Sequence, residues 1–312
     1  MSNDGDTTEK PLREMRIGIV GLGLMGGSLA LALRGRVAGL LAIERRANTR
    51  QMALREGIVD AAVEALTPDT PAVDLLVLAT PVRAILDTLN RLPATRPGGC
   101  AVLDLGSTKR AIVAGMDGLP PEFAAIGGHP MCGKESAGLA SAAADLFRGQ
   151  TFILCPSHRT TAAVTNTALA LVEAIGARPV LLDADAHDVV VATVSHLPAL
   201  VSAALMRTAA DERLWDVSAS GFRDVSRLAG TDPRMMLDIL MTNRRAVLDA
   251  LEAYRAELDG VREALLREDE EALMEWLAAA QVGYAGFRRF KSAEHLLPGV
   301  ARPADPQTGE IA

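Results

Sequence analysis

The chain has 312 residues, enough for two domains of ordinary size and a substantial core. Apolar residues make up 49% and charged residues 23%, which excludes a disordered chain, a collagen-like fibre and a small disulfide scaffold. A net charge of −7 leaves no general basic face for nucleic acid, and Cys100, Cys132 and Cys155 fit no zinc spacing, so reduced thiols are expected.

Residues 1–15 are polar and charged and are expected to form a flexible tail without a secretory signal. A short apolar strand follows at Arg16–Val20, then a helix at Leu24–Leu33. A second strand is read at Gly39–Glu44, a second helix at Asn48–Glu56 and a third strand at Asp74–Thr80, stopped by Pro81. Four further strands are expected at Cys100–Asp104, Ala124–Gly128, Thr151–Cys155 and Pro179–Asp183. Helical segments such as Val82–Arg91 and Thr160–Ile175 fill the gaps. Short apolar strands alternating with helices predict a Rossmann-type, doubly wound α/β sheet over residues 16–183.

The pattern changes after Asp183. Asp185–Ala209 reads as one long apolar helix, and Val189–Met206 carries no charged residue over 18 positions. That approaches membrane-spanning length, but with Ser195, His196 and Pro198 inside it a buried core helix is expected. Asp232–Arg267 is read as helical, started by Thr231-Asp232-Pro233, with one apolar stripe at spacings of three, four and seven. Glu268–Phe290 is the last helix. An all-helical domain is therefore expected over 184–291, with a flexible tail at 292–312. A soluble cytoplasmic protein with no membrane or nucleic-acid partner is the expectation.

Gly21-Leu22-Gly23-Leu24-Met25-Gly26 is a G-x-G-x-x-G between a predicted strand and a predicted helix, as dinucleotide binding requires. Gly21 permits the tight turn, Gly23 lets backbone approach a pyrophosphate, and Gly26 lets the helix pack on the strand. Leu24 and Met25 open that helix, where its N-terminus faces phosphate charge. Glu44 ends the second strand and can accept hydrogen bonds from ribose hydroxyls, which favours NAD. Arg45 and Arg46 follow it and leave NADP open. Thr80 and Pro81, at the end of the third strand, are counted with the cofactor-binding residues.

Three further clusters point to chemistry. Asp104-Leu105-Gly106-Ser107-Thr108-Lys109 follows a strand, at the sheet edge where ligands bind; Ser107 there is a candidate catalytic group or a helix cap. Gly127-Gly128-His129-Pro130 presents His129 after another strand, on a loop whose glycines admit a ligand; its imidazole suits a general base. Ser195-His196 lies in the apolar helix, where His196 is either a site residue or a satisfied core histidine. Arg223, Asp224 and Arg227 follow Gly221-Phe222. Arg223 and Arg227 share a face if helical, forming either a carboxylate-binding pair or a surface ion-pair face.

Taken together, GLGLMGGSLA, DLGSTK, GGHPMCGKESAG, ATVSHLPALVSAAL and ASGFRDVSRLAGTDPRMMLDILMTNR resemble the prephenate dehydrogenase family, which includes arogenate and cyclohexadienyl dehydrogenases. The resemblance implies oxidation of a 4-hydroxycyclohexadienyl ring with NAD(P)+ and loss of its ring carboxylate as CO2, in tyrosine biosynthesis. It implies that His129 is the base for the 4-hydroxyl and that Ser107 touches both hydroxyl and nicotinamide. It places His196 in the substrate pocket and Arg227 on a substrate carboxylate. Arg223 and Asp224 become secondary pocket residues, reaching over from a second subunit of a homodimer built by the helical domain. Prephenate is the expected substrate, with arogenate and 4-amino-4-deoxyprephenate as alternatives. No metal is expected.

Two other readings compete. GLGLMG also resembles the opening of the β-hydroxyacid dehydrogenases, but those use a lysine from the helical region, and no lysine lies between Lys134 and Lys291. A non-catalytic NAD(H)-binding sensor needs the glycine fingerprint but not Ser107, His129, His196 and Arg227 together.

Overall fold

The computed structural model describes residues 10–134 and 136–294. The expected tails fall mostly outside them, at 1–9 and 295–312. Within the first expected tail, Lys10 Nζ pairs with Asp74 at 2.8 Å, and Met15 is already buried.

Eight strands form one sheet in the order β3-β2-β1-β4-β5-β6-β7-β8. They are β1 (Arg16–Val20), β2 (Gly39–Ile43), β3 (Ala61–Val63), β4 (Leu75–Leu78), β5 (Ala101–Asp104), β6 (Ala124–Pro130), β7 (Thr151–Pro156) and β8 (Arg178–Leu181). All neighbours pair in parallel except β6 and β7, which are antiparallel. The helices between them are α1 (Leu24–Leu33), α2 (Ala47–Arg55), α3 (Val82–Thr95), α4 (Arg110–Asp117) and α5 (Ala162–Ala174).

Strand alternation divides the core between the two faces of the sheet. Ile17 and Ile19 of β1, with Leu75 and Val77 of β4, join the cluster that contains Leu29 and Leu33 of α1 and Leu171 of α5. Their neighbours Val20, Leu76 and Leu78 join the opposite cluster. There α3 contributes Val82, Ile85, Leu89 and Leu92, spaced three or four apart as one helical stripe. The doubly wound architecture is the predicted one. Strand β3 is new: three residues with no buried side chain carry no readable period.

Two corrections follow from pairing. Strand β6 does not stop at Gly128. Antiparallel pairing with β7 carries it to Pro130 and sets His129 opposite Ile153, so His129 sits on a strand and not on a glycine loop. The glycines before it serve the protein's own packing. A Cβ on Gly128 would stand 2.5 Å from the Asp104 carbonyl oxygen and 2.9 Å from the Phe152 ring.

After β8 the described residues form helices and the turns between them, with no further strand. Helices α6 (Ala184–Val191) and α7 (Leu197–Thr208) run on through a π turn at Ala192–His196. Asp183 caps α6, accepting from the amides of Asp185 and Ala186. This 25-residue helix is long and apolar enough to cross a membrane. It is not buried on all sides as expected: His187, Asp188, Val191, Ala192 and His196 face inward, whereas Val189, Val190 and Val194 are exposed. Next come α8 (Ser220–Ser226) and α9 (Pro233–Thr242), which Asp232 caps through the amides of Arg234 and Met235.

The predicted continuous helix from Asp232 breaks at Asn243, and α10 (Arg244–Leu266) and α11 (Glu270–Glu294) complete the described residues. Asn243 leaves the helical path because its side chain is drawn inward, donating to the Asp188 carbonyl at 2.7 Å. Two compact units divide between Ala250 and Leu251. Within the second, the Trp276 indole donates to Glu257 at 2.8 Å.

Leu76 is fully buried in the middle of the sheet, so Leu76→Ala is expected to cost about 2–5 kcal/mol. Leu54 is 44% exposed, and Leu54→Ala is expected to stay within about 0.5 kcal/mol. Urea unfolding midpoints of the two variants check the contrast.

Candidate active site

The strand order reverses between β1 and β4, the topological switch point where open α/β sheets bind ligands. Gly21 follows β1 there and Thr80 follows β4. Gly21 has φ +92°, and a Cβ on it would meet Thr80 Cγ2 at 2.7 Å. A Cβ on Gly26 would stand 1.9 Å from the Gly21 carbonyl oxygen, so α1 can pack this closely only with glycine. Gly23 is different: nothing lies within 4 Å of its Cβ position, which leaves its backbone open to a ligand. Leu24 and Met25 form the first turn of α1 above it.

Glu44 lies at the end of β2 and is buried. Its carboxylate accepts from Leu22 N at 2.9 Å and from Arg46 N and Nε at 3.0 and 2.9 Å. Burial works to raise its pKa, but the Arg46 and Leu22 hydrogen bonds outweigh it and hold the carboxyl below its usual range. Arg46 is thus engaged with Glu44 instead of standing apart as a phosphate ligand. Thr80 Oγ1 is buried and has no hydrogen-bond partner. Pro81 caps α3. The open Gly23 backbone, an acceptor carboxylate at the end of β2 and an orphaned hydroxyl at the switch point fit a dinucleotide.

The chemical groups sit one and two strands further on. Asp104 ends β5, and its carboxylate is wholly buried. It accepts from Gly106 N at 2.7 Å, from Gly128 N at 3.0 Å and from the buried Lys109 ammonium. This pins the Ser107 loop and the His129 strand to one anchor. Ser107 itself is half-buried, one residue beyond the pinned Gly106 amide.

His129 is 9% exposed. Burial, above all, pushes its pKa well below 6.5. Its Nδ1 is 2.8 Å from His187 Nε2, and His187 Nδ1 is 2.8 Å from Asp188 Oδ1. Asp188 also accepts from Lys109 N at 2.7 Å and Arg110 N at 3.1 Å, capping α4 from α6. Burial acts to raise the Asp188 pKa, but these bonds prevail and hold it low. His196, 1% exposed in the π turn, lies with Nδ1 3.3 Å from Asn243 Nδ2. Its pKa is pushed down to about 4 by burial, partly offset by Asp188.

The structure therefore gathers His129 and His196 around Asp188, with Ser107 on the adjoining loop. Arg223, Asp224 and Arg227 are placed otherwise: all three are exposed, on α8 and the turn after it, which packs against α7. Sequence reasoning missed His187, Asp188 and Asn243, and gave Asp104 and Lys109 no role. An adjacent His-Asp pair on a predicted helix was the available signal. Burial pushes the Cys132 thiol up to about 11, which disfavours its thiolate. No metal-binding group of histidine, cysteine or acidic residues occurs among the described residues.

The family model of the prephenate dehydrogenase nucleotide-binding domain matches residues 29–181, and that of the prephenate dehydrogenase dimerization domain matches residues 183–279. The chain is similar to a prephenate dehydrogenase of Bacillus subtilis, 31% identical over 84% of this chain and 73% of that protein. It superposes on the prephenate dehydrogenase of Aquifex aeolicus in complex with hydroxyphenyl propionate and NAD+. There the TM-score is 0.82 at 30% identity, over 89% of this chain and 100% of that one. The arogenate dehydrogenase of Synechocystis gives a TM-score of 0.76 at 32% identity, over 88% of this chain and 100% of that one.

The buried histidines make stability pH-dependent. An unfolded chain protonates histidine near 6.5, whereas folded His196 does so only at about 4. Between those values the unfolded state binds more protons, so stability falls as pH drops through the window. For His196 the loss is of order 3 kcal/mol. His196→Gln is expected to flatten the fall, read as urea midpoints from pH 7 to 4. An unaltered slope contradicts the assignment.

Proposed function

The chain belongs to the prephenate dehydrogenase family, and on that premise we propose that it converts prephenate and NAD+ to 4-hydroxyphenylpyruvate, CO2 and NADH. The observation that carries the reading is a buried, neutral His129 two strands from a dinucleotide cradle, on the same edge of the sheet. NAD+, when bound, supplies the hydride acceptor. Gly21, Gly23, Leu24, Met25, Gly26, Thr80 and Pro81 would hold it, and Glu44 would accept from its ribose hydroxyls.

The chain's own residues do the rest. His129 takes the 4-hydroxyl proton as the ring is oxidised at that carbon, which is general base catalysis. Ser107 hydrogen-bonds the same hydroxyl. Once CO2 has left and the ring is aromatic, the proton returns from His129 to the phenolic oxygen, so the base is regenerated. His196, held neutral, lines the ring pocket without adding a charge. The substrate carries two carboxylates, and Arg227, with Arg223 and Asp224 beside it, orients them. Since aromatisation drives the reaction, orientation is the protein's main task.

The same reading puts a domain boundary at Asp183; the end of the last strand at Leu181, the cap of α6, and family matches that end at 181 and begin at 183 support it. A cytoplasmic homodimer is part of the same reading. The exposed Val194, Val225, Leu237, Met241 and Leu248 of the helical half supply apolar surface for a second copy to cover. The likeness to an arogenate dehydrogenase supports a second substrate, which differs from prephenate only in carrying an amine in place of the keto group.

The test is the initial rate of NAD+ reduction with prephenate and with arogenate, offered separately. Turnover with prephenate is expected, and inertness toward both overturns the reading. His129→Asn is expected to lower kcat by about 10²–10⁴-fold while NAD+ affinity, measured by fluorescence titration, stays unchanged.

A further inference from the structure

We infer that His187 and Asp188 are positioning residues that hold the His129 ring in a single tautomer, with its proton on Nδ1 and its lone pair on Nε2. The inference deepens the reading above, because it rests on His129 being the base. It follows from counting donors and acceptors along one buried line. Asp188 accepts from Lys109 N, Arg110 N and His187 Nδ1. A carboxylate taking three donors has no proton to give, so His187 must carry its own proton on Nδ1. In that tautomer, with no second proton, His187 presents a bare Nε2, 2.8 Å from His129 Nδ1. One of those two nitrogens must donate, and only His129 Nδ1 is left to do so. The bare Nε2 of His129 is the atom free to take a proton from a hydroxyl.

Geometry supports the line. The two rings meet edge to face, with centroids 5.0 Å apart and planes at 60°. Asp188 is itself immobilised by capping α4, so the line starts from a fixed point. Among the described residues, the charged and titratable groups facing His129 are Asp104 on β5 with its partner Lys109, His187 and Asp188 on α6, and His196 in the π turn. Strand β7 sets only Ile153 opposite it.

During turnover the proton taken at Nε2 makes His129 an imidazolium. The His187 lone pair and the Asp188 charge behind it stabilise that cation, and neither residue has to become protonated. The arrangement parallels the carboxylate that orients the histidine of a serine-protease triad, with a second imidazole interposed.

The first experiment reads the tautomer directly, by ring-15N NMR of the full-length protein without substrate. Protonated Nδ1 and bare Nε2 on His129 are expected, and the opposite tautomer overturns the inference. The second compares His187→Leu with His187→Gln, whose carbonyl oxygen can still accept from His129 Nδ1. The leucine variant is expected to lose about 10²–10⁴-fold in kcat, with little change in the KM for prephenate. Its acid limb of kcat/KM is expected to move to lower pH, because the His129 cation has lost its acceptor; a move to higher pH means that His187 itself carried a charge that repelled the cation, and overturns the inference. The glutamine variant is expected to keep activity within about tenfold of wild type. Equal losses in both variants with an unmoved acid limb mean packing alone and overturn the inference. If the wild type shows the expected tautomer but oxidises neither substrate, the proposed activity falls and the positioning line stands.

Discussion

A carboxylate removed from water must be surrounded by donors, and Asp104 draws its donors from three parts of the chain. Gly106 N comes from the loop that follows it, Gly128 N from the neighbouring strand, and an ammonium from Lys109 at the start of α4. Satisfying one side chain therefore fixes the Ser107 loop and the His129 strand relative to each other. Taking one partner from such a buried pair leaves the other uncompensated, at a cost of roughly 3–5 kcal/mol. The site's precision and the fold's stability thus rest on the same group.

Asp188 repeats the device one layer out. It reaches from α6 to the first amides of α4 and to His187, so the start of the helical half is tied to the sheet beside His129. Asn243 adds a further tie, from the break between α9 and α10 to the Asp188 carbonyl. Burial in the interior of the site holds His129 and His196 neutral. The arginines assigned to the substrate carboxylates stand on exposed α8 and its following turn. Charge that must meet a ligand is left near solvent, where its desolvation cost is deferred until binding.

Much of this was legible in the residues. Strand and helix alternation up to Asp183 follows from apolar runs long enough to bury and short enough to be strands, and the glycine fingerprint marks its own turn. His129 stood out in the sequence as a candidate site residue but not as a strand residue. The extension of β6 depends on β7 folding back against it, a non-local pairing that no local period records. His187 and Asp188 were passed over for a similar reason. A histidine and an aspartate at the start of an apolar helix look like solvated first-turn residues until α4 is packed against them. The break at Asn243 was hidden by an apolar stripe that continues on both sides of it.

The π turn decides which way His196 points. Residues advance about 100° each around an ordinary helix, so His196, nine positions beyond His187, would lie on the opposite side of the rod. The wider turn, closed by the Leu197 amide on the Ala192 carbonyl, absorbs about one extra residue. That resets the angular phase by roughly one step and brings His196 almost directly over Asp188, two turns further along. The segment between the two histidines is therefore constrained in length more than in composition. Its apolar residues can be exchanged for others of like size, but adding or losing a single one rotates His196 out of register with the carboxylate beneath it.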